Sequence, residues 1–122
     1  MKIENIIERA DTISPNDIPE EEKLAWIAEL DGKIALDVML MDICEASHFN
    51  YRYPEDLKME PLVGFPHENM YVLWLRAKID DHNGEIERYE NSMQQYNASF
   101  GNFARWFART YEPAQGYRRS EI

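Results

Sequence analysis

Ile86, Tyr89, Met93, Tyr96, Phe100, Phe103 and Phe107 follow one another at alternating steps of three and four along the last third of a 122-residue chain. At 100° per residue these side chains fall on one side of a helix, and a stripe of that bulk is stable only when other helices cover it. Stepping the register backwards reaches His82, Ile79, Leu75 and Val72, so the phase survives with only His82 breaking it. Residues 68 to 111 therefore read as helix, either as one long kinked C-terminal helix or as a helical hairpin. The joint in either case is Asn83-Gly84, because glycine readily takes the left-handed conformation that ends a helix.

The same joint lies in "DDHNGEIERYEN", residues 80 to 91, which has the look of a calcium loop. Aligned on Gly84, Asp81, Asn83 and Glu90 occupy loop positions three, five and twelve, but position one is Ile79. Hydrocarbon cannot ligate calcium, and a helix already running at Ile86 leaves no room for a twelve-residue loop. The helical joint is the better reading, and no metal or cofactor is expected.

Upstream, Ile3, Ile6, Ile7 and Ala10 have helical spacing, with Ile13 extending the face and Ser14-Pro15 stopping it. "DIPEEEK" reads as the next helix start, with Asp17 as the capping acceptor, Glu20 at capping-box spacing and acids at the positive end of the dipole. From there Leu24, Ile27, Leu30, Ile34, Val38 and Met41 form a stripe to about Ile43, with Gly32 marking a bend or a close helix contact. Residues 45 to 66 lose this periodicity and read as a long irregular loop, within which "FNYRY" and "EPLVGFP" are candidates for a short hairpin. The fold class is thus all-α: a small bundle of about four helices, residues 1 to 111, followed by a flexible tail at 112 to 122.

Chemistry has no named candidate. Cys44 is the single cysteine, so the chain can form neither an internal disulfide nor a thiolate cluster, and it reads as a half-buried residue near a helix end. Glu45 and His48 have a di-iron spacing, but it occurs once, and His67 and His82 sit at the beginning and end of a helical segment. No nucleophile motif or phosphate loop stands out, so the chain is expected not to be an enzyme. A formal charge of -10 repels nucleic-acid backbones and anionic membrane surfaces. No apolar run approaches the roughly 20 residues of a membrane span, and MKIENIIERA is unlike a signal peptide, so a cytosolic protein is expected.

A second strip on the C-terminal segment consists of small residues, Ala98, Gly101, Ala104 and Ala108, which let another backbone approach closely. Its neighbour lies either within the chain or in another copy. Trp106 lies on the other flank of the aromatic stripe, towards Arg105 and Arg109, a composition suited either to protein contact or to a ring covering the edge of the core. Tyr117, Arg118 and Arg119 in the tail complete the candidate interface.

Three stretches, "KLAWIAELDGKI", "EPLVGFPHENMYVLWL" and "AKIDDHNGEIERYENSMQQYNASFGNFARWFARTY", resemble a family of head-tail connector (adaptor) proteins of siphophages and prophages of Gram-positive bacteria. The likeness spans most of residues 19 to 111 and is most specific through "NGEIERYENSM"; "DICEASHFNYRY" departs from it. It implies a non-enzymatic virion structural subunit that forms a homo-oligomeric ring below the portal protein and meets a tail-side connector or stopper. It further implies assembly in host cytoplasm, residence at the head-tail junction, and DNA passing through the channel without specific binding. The alternative from the residues alone is a cytosolic helical regulator or interaction module that sequesters a basic partner.

Overall fold

The computed structural model describes side chains for residues 1 to 111 and the helical backbone on to Ser120. Its elements are α1 (Ile3–Ile13), α2 (Glu20–Lys33), the single turn α3 (Ile43–Ala46), α4 (Asn69–His82) and α5 (Ile86–Ser120), with no strand among the described residues. The four longer helices make the bundle, and its core is one continuous apolar cluster drawn from all of them. The expected tail at 112 to 122, with Tyr117, Arg118 and Arg119, lies outside the residues whose side chains are described.

α4 is the central element. Met70, Tyr71, Val72, Leu73, Leu75, Ala77 and Ile79 are all buried, more than one face of a helix, so neighbours must cover it on several sides. α1 lays Ile3, Ile6, Ile7 and Ala10 into the core, α2 lays Leu24, Ile27 and Leu30, and α5 returns antiparallel. Two helices rather than one kinked helix span 68 to 111, and Gly84 at φ +73° makes the reversal. Asn83 donates from Nδ2 to the carbonyl of Pro15 at 3.4 Å, fastening the turn to the end of α1. Ile86 does not join the seam: it is 70% exposed, because the first turn of α5 lies beyond the end of α4, and burial begins at Tyr89.

Three expectations need correction. Asp17 does not cap α2; Asn16 takes the turn instead, its Oδ1 accepting from the Ile18 N–H at 3.0 Å, and Pro19 occupies the cap position. The second helix does not run to Ile43. A π-turn at Ile34–Val38 follows Lys33, and Leu40 at φ +56° then reverses the chain, which leaves Leu40 64% exposed and Met41 only half-buried. Gly32 touches nothing that a Cβ would meet, so the irregularity belongs to the π-turn and not to a close helix contact at the glycine. Residues 45 to 66 are irregular as expected; the possible hairpin is absent, and they hold a 3-10 turn at Ser47–Phe49 and another at Glu55–Lys58. Two further residues, Ile13 and Cys44, are exposed, each having run past the end of the packed face that was to cover it.

A buried carboxylate replaces strand pairing as the fastening of that loop. Asp31 on α2 is 0% exposed and accepts from Tyr51 Oη at 2.5 Å, Tyr71 Oη at 2.5 Å and the Leu62 N–H at 3.0 Å. Tyr71 Oη in turn accepts from the Val63 N–H at 2.8 Å. No ammonium or guanidinium group joins these donors among the described residues. Burial pushes the Asp31 carboxyl above the ordinary carboxylate range, against the opposing pull of its three hydrogen bonds. The same burial, with the carboxylate alongside, raises Tyr51 and Tyr71 and keeps both phenols protonated donors. Polar ties also hold α2 to α1, where buried Lys23 Nζ meets Asp11 at 2.7 Å, and α5 to α4, where Ser92 Oγ donates to buried Asp80 at 2.9 Å.

Asp31→Ala strands two hydroxyls and an N–H away from water, and at about 1 to 3 kcal/mol for each unsatisfied donor the expected loss is at least about 3 kcal/mol in urea unfolding. The pH dependence has a definite sign. A carboxyl whose native pKa lies above its unfolded value binds its proton more tightly when folded, so its stabilising contribution is largest below about pH 4 and declines as pH rises towards the raised pKa. Asp31→Asn is expected to abolish that component of the slope; an unchanged slope would contradict the placement of the carboxylate.

Candidate protein-binding surface

α4 has 14 residues and is about 21 Å long, so the antiparallel partner runs out of α4 near Phe100. Beyond that point the segment 62 to 67 covers α5 in its place. Phe103 is buried there, His67 packs on it edge to face at 5.6 Å, and Trp106 tilts over the same imidazole at 5.0 Å. A loop covers a helix less completely than a helix does. What remains is a cavity of about 140 Å³ bounded by Met39, Leu62, Val63, Phe65, His67 and the α5 side chains Phe103, Trp106, Phe107 and Tyr111.

The rim of this cavity is aromatic and open. Phe65 is 88% exposed and Tyr111 48%, while Trp106 and Phe107 are half-buried and Phe107 stacks obliquely on Tyr111 at 4.5 Å. His67 Nε2 is buried without a hydrogen-bond partner among the described residues. Arg105 and Arg109 are exposed on α5 and do not line the cavity. Arg105 donates to Asn102 Oδ1 at 2.6 Å, and neither arginine meets a carboxylate among the described residues. The arrangement offers an open aromatic contact area, suited to binding another protein.

The structure places Trp106 on the cavity and Arg105 over the strip of small residues, with Arg109 exposed one turn further on. Ala98 is exposed, while Gly101 and Ala108 are half-buried. A Cβ placed on Gly101 would meet only the Arg105 guanidinium, its nearest nitrogen 3.3 Å away, and no backbone of another helix. The second neighbour of α5 is therefore not supplied by the described residues of this chain. Asn83 and Gly84 stand apart, at the far end of the α4–α5 hairpin. In that joint Asp80 is engaged by Ser92 and, at 3.8 Å, by Arg88, while Asp81 and Glu90 are exposed; no cluster of three or more metal-ligating side chains occurs among the described residues.

Phe65, His67 and Tyr111 were not legible as surface residues. The available signal was "VGFPH", a bulky aromatic between glycine and proline within a stretch without helical periodicity, where no core position is specified. A second concavity lies on the opposite kind of surface: an open recess of about 650 Å³ on α1, lined by Glu4, Glu8, Asp11, Thr12 and, from α2, Glu20. It is wide, polar and unlike an enclosed ligand site.

Comparison with family models, with curated proteins and with solved structures finds no match for this chain. No helix among the described residues is long and apolar enough to cross a membrane.

Core and surface aromatics should separate cleanly on substitution. Phe103→Ala is expected to destabilise by about 3 to 5 kcal/mol through loss of a fully buried ring. Phe65→Ser is expected to leave the unfolding midpoint within about 0.5 kcal/mol of the parent. A large stability loss from the Phe65 change would mean that the ring belongs to the core.

Proposed function

We propose that this protein is a non-enzymatic assembly subunit, a head-tail connector of a siphophage or prophage that forms a ring at the portal vertex and joins head to tail. The observation that carries the assembly reading is the open aromatic face where α5 extends beyond α4, with Phe65, Trp106 and Tyr111 around a cavity of about 140 Å³. Such a face is large and apolar for a solitary subunit, and a partner surface would bury it. The phage assignment comes from the resemblance of "EPLVGFPHENMYVLWL" and "NGEIERYENSM" to that family, and the all-helical fold agrees with it. A subunit of net charge -10 would line a DNA channel without gripping phosphates.

The acidic recess on α1 favours a second reading, a helical module that sequesters a basic partner through Glu4, Glu8 and Glu20. Imaging separates the two. The purified protein mixed with portal-bearing, DNA-filled heads is expected to add a ring of density at the portal vertex in negative stain, and Trp106→Ala combined with Phe65→Ser should weaken that attachment. Heads that remain bare at saturating protein would remove the connector reading.

A further inference from the structure

One cation grips both ends of the segment that carries Phe65. The α-amino nitrogen of Met1 donates to Glu60 Oε1 at 3.2 Å and to Glu68 Oε2, and no other cation meets either carboxylate among the described residues. Glu60 precedes Phe65 in the chain, while Glu68 follows it at the cap of α4. The Met1 side chain packs against the core, and the Ile3 N–H donates to the Met59 carbonyl at 2.9 Å, which lays the first three residues along the start of the segment. Met1 and Glu68 are both half-buried, so salt screens their attraction less than it would an exposed pair. Hydrogen bonds to Glu68 and then Glu60 raise the amine above the usual range of a chain terminus and keep it charged at neutral pH. Inside the loop so closed, the Leu62 and Val63 N–H groups donate to Asp31 and Tyr71, and the His67 N–H donates to the Gly64 carbonyl at 3.0 Å.

We propose that the chemical state of this nitrogen is a switch on the segment: a free ammonium clamps Glu60 to Glu68, and an acyl group on Met1, or a residue joined ahead of it, releases them. Acylation turns an ammonium with three donors into an uncharged amide with one, which can bond one carboxylate at most and can pair with neither as an ion. Glu68 is then left half-buried without its cation. Its neighbour His67, which packs on Phe103 and Trp106, loses a fastening on its chain, and the rim at Phe65 loses the closure of its two ends. The switch acts before any partner arrives and does not depend on what binds the face, so it goes beyond the assembly reading.

Amide hydrogen exchange of the full chain, with a free or an Nα-acetylated Met1, tests the switch. Acetylation is expected to speed exchange at Leu62, Val63 and His67 by about tenfold or more, the scale of a lost charge-assisted hydrogen bond, while circular dichroism stays that of the folded parent. Glu60→Gln combined with Glu68→Gln, in the chain with a free terminus, should speed the same amides to a similar extent. Acetylating that double variant should then add less than about twofold, because both changes remove one and the same contact. Exchange that is equal in the free and acetylated chains, or effects of acetylation and of the two glutamines that multiply, would overturn the clamp. No partner enters these measurements, so their failure leaves the connector reading standing, and heads that stay bare of the protein leave the clamp standing.

Discussion

Unequal length is the constraint from which most of this structure follows. α4 ends where α5 has covered it only as far as about Phe100, so the remaining aromatic stripe of α5 must find another cover. The loop takes that role because it leads directly into α4, and its residues Leu62, Val63 and His67 arrive opposite Phe103 and Trp106. A loop supplies irregular packing, and the cavity with its exposed aromatic rim is the result. Had α4 been two turns longer, the seam would have closed on itself and the face would have vanished into the core.

Much of the fold could be read in the residues, and the reasons are particular. The seam from Met93 to Phe107 and the run Val72, Leu75, Ile79 carry a strong helical period, since each lies in the core cluster or packs against it along one line. Gly84 identified the joint because only a left-handed position explains a glycine between two phased helices. What escaped reading was set by contacts distant in sequence. The π-turn after Lys33 keeps the same apolar residues as a regular helix would, so its pattern looked unbroken. Asp31 sits beside the stripe residue Leu30 of α2, and nothing adjacent to it identifies its partners, which lie 20, 31 and 40 residues away.

The candidate surface was half legible for the same reason. Trp106 could be placed at the edge of the aromatic stripe by helical geometry alone, and it lines the cavity. Phe65, His67 and Tyr111 join it only through the tertiary fold, across a loop with no period to read. Small residues misled in a limited way: Ala98, Gly101 and Ala108 were read as a strip for a close helix neighbour, but among the described residues no other helix meets Gly101, and an arginine side chain folds over the glycine instead.

The Asp31 cluster ties the aromatic face to the rest of the fold. Its acceptor is on α2, one phenol is on α4, and the remaining donors are in the segment between them, so the full set of bonds exists only where both helices and that segment are in place. A local opening of the segment that lets water reach the carboxylate loosens the set together. Since that segment also carries Phe65, the aromatic rim depends on an intact cluster, which couples readiness to bind to completeness of folding.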